Sequence, residues 1–251
     1  MNAELRIGTS GWHYRHWGNC FYPAKLPSSA MLAWYANKYD TVEINNTFYR
    51  LPAEDALLRW REVASQRFLF SVKASRFITH TKRLREAREA ISLFASRVEL
   101  LGDTLGPILF QLPPGWKANI DRLAEFLPLL ACSHRYAVEF RDQTWYAPDI
   151  LDLLRGHNVA LCIHDWRGSL WPMEVTADFT YIRLHGPGGR HQGNYSAKML
   201  LQWADRIQQW RRVVARIFVY FNNDQGGFAI SNSQTLRTLI GGGLVPAHKV
   251  A

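Results

Sequence analysis

Apolar residues recur along this chain in short runs whose closing positions turn polar, and those polar residues fall two apart. Residues two apart on a strand share a face, so each run presents its closing polar groups to one side. The endings are Glu43 and Asn45; Ser71, Lys73 and Ser75; Gln111; Glu139 and Arg141; Arg183 and His185; Tyr220 and Asn222; and, more weakly, Thr9 and Gly11. With the runs that precede them, they predict strands over 5–9, 41–45, 68–73, 108–111, 136–140, 159–163, 181–185 and 216–222. Between the strands, apolar positions return at helical spacing over 29–38, 54–64, 84–101, 120–130, 149–156, 197–213 and 231–240. An alternating series of this kind requires a parallel sheet, and eight units in 251 residues fit a closed (β/α)8 TIM barrel better than an open doubly wound sheet. The expectation is an α/β chain with a single domain over 1–251. The sixth connection, 165–179, departs from the series, because Gly168, Pro172 and β-branched residues oppose a regular helix there. Gly241 to Gly243 read as the end of the last helix and the start of a tail.

A barrel of this type carries its chemistry at the C-terminal ends of its strands, and all the polar endings lie at that face. Burying ionisable groups together is expensive unless they pair or react, so their convergence marks the site. Glu43, Glu139 and Asp165 bring negative charge to the mouth, and Lys73, Arg141 and Arg183 bring positive charge. One reading is an internal ion-pair network; the other is a general acid or base, from Glu43, Glu139 or Lys73, beside cations that hold an anion. Arg141, Arg183, His185, Gln111, Asn222, Asn223 and Trp12 are the candidate ligand-binding residues. Gly186 to Gly189 follow the seventh strand, where barrels commonly hold phosphate on backbone N–H groups, so Gly186 joins them. No cofactor is expected. A divalent metal, if one were held, would fall on Glu139, Asp165 and His185, with His164 beside Asp165 a further possible ligand, although nearby lysine and arginines repel a cation and no short-spaced metal motif occurs.

Bulk properties sharpen this only slightly. The chain is 47% hydrophobic with a formal charge of +9 and pI near 9.7, which favours a small anionic ligand or nucleic acid as partner. The run Lys82, Arg83, Arg85 and Arg88 is read as opening the third helix and extending that positive surface. Trp12, Tyr14, Trp17, Trp116, Trp145 and Trp166 stand in loops beyond strand ends, where rings stack on ligands or pack the loops down. Three unpaired cysteines and an N-terminus that enters the first strand at once fit a reducing cytoplasm, with no membrane partner.

The segments Gly8-Thr9-Ser10-Gly11-Trp12, Thr41 to Tyr49 (TVEINNTFY), Leu109 to Pro114 (LFQLPP), Glu139-Phe140-Arg141, Arg183-Leu184-His185-Gly186 and Phe221-Asn222-Asn223-Asp224 occur in order across nearly the whole chain. Together they resemble the YecE-like family, a domain-of-unknown-function family. The resemblance implies a TIM-barrel fold and leaves the activity open. By analogy of shape with zinc-dependent barrel endonucleases, Glu139, Asp165 and His185 stand on the strands that carry metal ligands there, but Glu43, Lys73 and Asn222 depart from a histidine-rich set. The reading that follows is a barrel mouth that binds an anionic ligand, phosphate-bearing ligands foremost, in an enzyme of hydrolase or isomerase type. The alternatives are a non-catalytic nucleic-acid-binding protein and a metal-dependent phosphodiesterase.

Overall fold

The computed structural model describes residues 3–64, 67–166, 172–189 and 191–241. Its strands are β1 (Glu4–Thr9), β2 (Thr41–Ile44), β3 (Leu69–Lys73), β4 (Leu105–Gln111), β5 (Tyr136–Glu139), β6 (Ala160–His164), β7 (Phe179–Leu184) and β8 (Arg216–Phe221). All the ladders are parallel, in the order β1-β8-β7-β6-β5-β4-β3-β2. The ring closes between β1 and β2 by one bridge, Ser10 to Glu43, where the Gly11 N–H donates to the Glu43 carbonyl at 2.8 Å. Helices α1 (Met31–Ala36), α2 (Glu54–Val63), α3 (Arg88–Val98), α4 (Ile120–Phe126), α5 (Pro148–Gly156), α6 (Ala197–Trp210) and α7 (Phe228–Ile240) link the strands. The expected (β/α)8 barrel is therefore present, with eight parallel strands nearly closed into a ring.

Two features make the thin β1–β2 seam. A Cβ on Gly8 would run into the Thr41 carbonyl oxygen, so only glycine lets the two backbones come this close. Tyr35 of α1 then inserts its hydroxyl between the strands, accepting from the Thr9 N–H at 3.0 Å and lying 3.2 Å from the Thr41 carbonyl oxygen. Backbone groups that a full ladder would have paired are satisfied by a side chain instead.

The strands sort their side chains into two cores. Leu109, Ala137, Ala160, Cys162, Phe179, Tyr181, Phe218 and Tyr220 fill the barrel interior, while Ile7, Val42, Phe70, Phe110, Val138, Ile163, Ile182 and Val219 face the helices. Continuing the interior phase of β7 and β8 upward places Arg183 above Tyr181 and Asn222 above Tyr220.

Several expectations need adjustment. On β1 it is Ser10 that points at the site; the Thr9 hydroxyl turns to Tyr35 and the Gly11 carbonyl. The third helix starts at Arg88, because Arg83, Leu84 and Glu86 adopt positive φ, which no helix continues through. Lys82, Arg83 and Arg85 thus precede the helix, and of the basic run only Arg88 opens it. Between β6 and β7 the described residues form no α-helix, as expected; Thr176 instead bonds to β6, donating to Val159 O and accepting from Leu161 N, both at 2.7 Å. Gly168 and the tail beyond Gly241 lie outside the described residues. No helix among those residues is long and apolar enough to cross a membrane.

Candidate functional site

Four charged strand-end residues are joined directly, and Arg183 is the centre of the chain. Its guanidinium donates to Glu43 Oε1 at 2.8 Å and to Glu139 Oε2 at 2.6 Å. Glu43 is completed by Ser10 Oγ on Oε1 (2.8 Å) and Tyr181 Oη on Oε2 (2.7 Å). Glu139 Oε1 pairs with Arg141, with His185 Nε2 at 3.8 Å. Glu43, Glu139 and Arg183 are all buried. Burial alone would push the Glu139 carboxyl up, but Arg141 and Arg183 outweigh it and hold it well below the usual carboxylate range. Arg183 is correspondingly raised: burial opposes its charge, and Glu43 and Glu139 more than restore it.

Lys73 does not join this network. Its Nζ has no carboxylate within ion-pair distance and no hydrogen bond among the described residues; it lies 4.1 Å from the centroid of Phe48. The backbone carbonyl of Lys73 accepts from Thr47 Oγ1 at 2.6 Å, which fixes the strand end. Burial, then Arg183, lowers the ammonium to about 7, and Glu139, Glu43 and Arg141 shift it less. It opens on a cavity of about 270 Å³ at the barrel mouth, lined also by Gln111, Arg141, Arg183, Asn222, His80 and His191 among others. Phe48, the exposed Tyr49 and Trp166 supply aromatic walls, and Trp166 stacks on the Arg141 guanidinium at 4.0 Å.

His80 reaches the cavity from a five-residue π-helical turn, Phe77–Thr81, which follows β3. Such turns are rare and concentrate at functional sites. The ring meets Phe48 edge-on at 4.9 Å, and its Nδ1 lies 2.9 Å from Thr79 Oγ1. Burial, then Lys73, lowers it to about 4, so it is neutral at pH 7.

Other predicted site residues have structural partners. His185 is fully buried: Asn222 Nδ2 lies 3.2 Å from its Nδ1, and burial holds it well below the ordinary histidine range. The glycine loop is not a phosphate cradle. The His185 N–H donates to Asp165 Oδ1 and the Gly186 N–H to Tyr195 Oη, both at 2.7 Å, while Gly188 and Gly189 donate to Gln192 O and Gly186 O. Gly186 is needed because its φ is 95° and a Cβ would strike the Gln192 carbonyl. Asn223 is buried and donates to Gly193 O and Asn232 Oδ1. Trp12 packs edge-on to Trp60 and lines a separate cavity of about 530 Å³ between the β1 and β2 loops and α2. That larger space is lined by His13, Tyr14 and Arg59 but by no carboxylate or lysine among the described residues, whereas the charged strand-end residues Lys73, Arg141 and Arg183 line the smaller one.

The metal set also changes. Asp165 is turned away, taken by the His185 N–H and the Tyr195 hydroxyl. Glu139, His164 and His185 instead offer ligand atoms within 4.8 Å of one another. They suit a cation poorly: both Glu139 oxygens already face guanidinium groups, and His164 Nε2 lies 2.9 Å from the Phe140 carbonyl, a contact that needs a proton on that nitrogen. What sequence reasoning missed includes Ser10, Tyr181 and Tyr195, which hold the carboxylates, and His191, which lines the mouth. Tyr181 was detectable, lying two residues before Arg183 in the inward phase.

A family model described as "Protein of unknown function DUF72" matches residues 6–249. The chain is 25% identical over 272 aligned residues to UPF0759 protein YunF of Bacillus subtilis, covering 94% of both. It is 30% identical to UPF0759 protein YecE of Escherichia coli K12 over 144 residues, 57% of this chain and 50% of that one. A crystal structure of a DUF72 family protein from Thermotoga maritima superposes with TM-score 0.85 at 26% identity, covering 95% of this chain and 99% of that one.

Proposed function

The chain belongs to the DUF72 family, and from that premise and the geometry above we propose that the barrel mouth captures a small anionic ligand on Lys73. The observation that carries this reading is the unequal partnering of the mouth's charges. Glu43 and Glu139 are matched by Arg183 and Arg141, whereas Lys73 faces the cavity with no counter-ion among the described residues. The imbalance rests on Lys73, since the buried Arg141 Nε and Arg183 Nε belong to the ion-pair network beneath the cavity, as does Glu139 Oε1. A phosphate or carboxylate answers that imbalance. The volume of about 270 Å³ suits a compact metabolite rather than a nucleic-acid strand. In this arrangement Arg183 is a fixed floor rather than the anion clamp, and Glu43 and Glu139 position it.

Thermal unfolding at low ionic strength tests the reading. Phosphate or oxalate at about 100 times its Kd is expected to stabilise the protein by about 2.7 kcal/mol. The shift should be larger at pH 6 than at pH 8, because the ammonium is fully formed only below its pKa of about 7. Lys73→Met should abolish it. Equal stabilisation of wild type and Lys73→Met would contradict the proposal.

A further inference from the structure

The environment of Lys73 fits more than electrostatic capture. A lysine that only neutralises charge serves best fully protonated and near a carboxylate; this one has neither property. Its nitrogen lies beside an aromatic ring and on the cavity at the barrel mouth, and His80 flanks the same ring. His80 Nε2 makes no hydrogen bond among the described residues; burial and the Lys73 charge keep its imidazole neutral and weakly basic, so it can take up the proton only as Lys73 gives up that charge. The charged and titratable groups around the amine are Arg183, Arg141, Glu139, Glu43 and His80, and the four former are already paired with one another.

We infer that Lys73 is a nucleophile that forms an imine with a small 2-oxo acid seated in the mouth. The inference rests on the anion-binding reading and names the ligand class. The ammonium gives a proton to His80 Nε2, and the freed Nζ lone pair attacks the carbonyl carbon to form a carbinolamine. The C–O bond then breaks, and the oxygen leaves as water after taking up the proton from His80 and one released from the attacking nitrogen. In net terms one ammonium and one carbonyl give one protonated imine and one water, with no oxidant or reductant. The protonated imine keeps the positive charge that the mouth needs, and the carboxylate of a 2-oxo acid lies two bonds from the imine nitrogen. Gln111, Arg141 and Asn222 remain on the cavity wall to receive its oxygens.

Reductive trapping decides the matter. The protein is treated with glyoxylate and cyanoborohydride at pH 7, and the adducts are located by peptide mass mapping. Of seven lysines, Lys73 should be modified faster than the others by on the order of tenfold or more, since an amine of the reference lysine pKa is almost wholly protonated at pH 7. Oxalate should suppress that adduct, and Lys73→Arg should show only the slow background. Even labelling of all lysines, or an unmodified Lys73, would overturn the inference. Lys73→Arg retains a cation and should still be stabilised by oxalate. Stabilisation by oxalate without an adduct in wild type would therefore remove the imine and leave anion capture standing, whereas loss of both would remove both.

Discussion

Arg183→Met is expected to destabilise the protein more than any other single change at the mouth. Arg183 is the one group that bonds both Glu43 and Glu139, and all three are buried. Removing one partner of a buried ion pair typically costs about 3–5 kcal/mol, because the charge left behind has neither water nor a counter-ion. For a chain of this length that corresponds to a melting temperature lower by about 10 °C or more. The pH dependence should invert as well. In wild type, Glu139 is held well below its unfolded value, so its contribution is present above the unfolded carboxylate pKa and is lost as pH falls through the folded one. In Arg183→Met, Glu43 loses its one ion-pair partner among the described residues while Glu139 keeps Arg141, so protonating Glu43 relieves the cost of its burial. The variant should gain stability relative to wild type between pH 8 and pH 5. Adding Glu43→Gln and Glu139→Gln should recover part of the loss. Circular-dichroism melts across that range check it, and a variant as stable as wild type at pH 8 would show that Arg183 does not hold the mouth together.

Lys73→Met has the opposite sign. A lysine whose folded pKa is about 7 is protonated in the unfolded chain at every pH below the ordinary lysine value, so burying it works against folding. Where the unfolded state binds more protons, stability rises with pH, here between about 7 and the ordinary lysine value. Below that window the penalty is constant. Replacing the ammonium with an apolar chain of similar length should therefore stabilise the ligand-free protein at pH 7 by about 1–3 kcal/mol. The gain should shrink as pH approaches 10. A residue whose removal stabilises the fold and abolishes anion binding is kept for function. Destabilisation by Lys73→Met at pH 7 would instead assign Lys73 to the structure.

How far the sequence disclosed this depends on whether a residue's role follows from strand phase. Lys73, Gln111, Arg141, Arg183 and Asn222 were found because the phase of each strand carries to its last residue, and all five line the mouth. Ser10 was missed because β1 meets β2 by a single bridge, and no local pattern announces which of Thr9 and Ser10 turns inward there. The glycine loop after β7 has the composition of a phosphate cradle, but Tyr195 and Gln192, several residues further on, consume its N–H groups. His191 enters from a loop, whose course periodicity does not describe, whereas His80 was within reach because it closely follows the end of β3. Trp12 illustrates the same limit: its loop carries it to the neighbouring cavity, against Trp60.

The most direct measurement is the titration of Lys73 Nζ itself, followed by side-chain nuclear magnetic resonance in isotope-labelled protein and assigned with Lys73→Arg. Free protein should show an ammonium titrating near 7, well below the reference lysine value. Saturating oxalate should raise that value, because a bound anion favours the charged form. A Lys73 that titrates in the ordinary lysine range and does not respond to oxalate or phosphate would contradict the account at its centre.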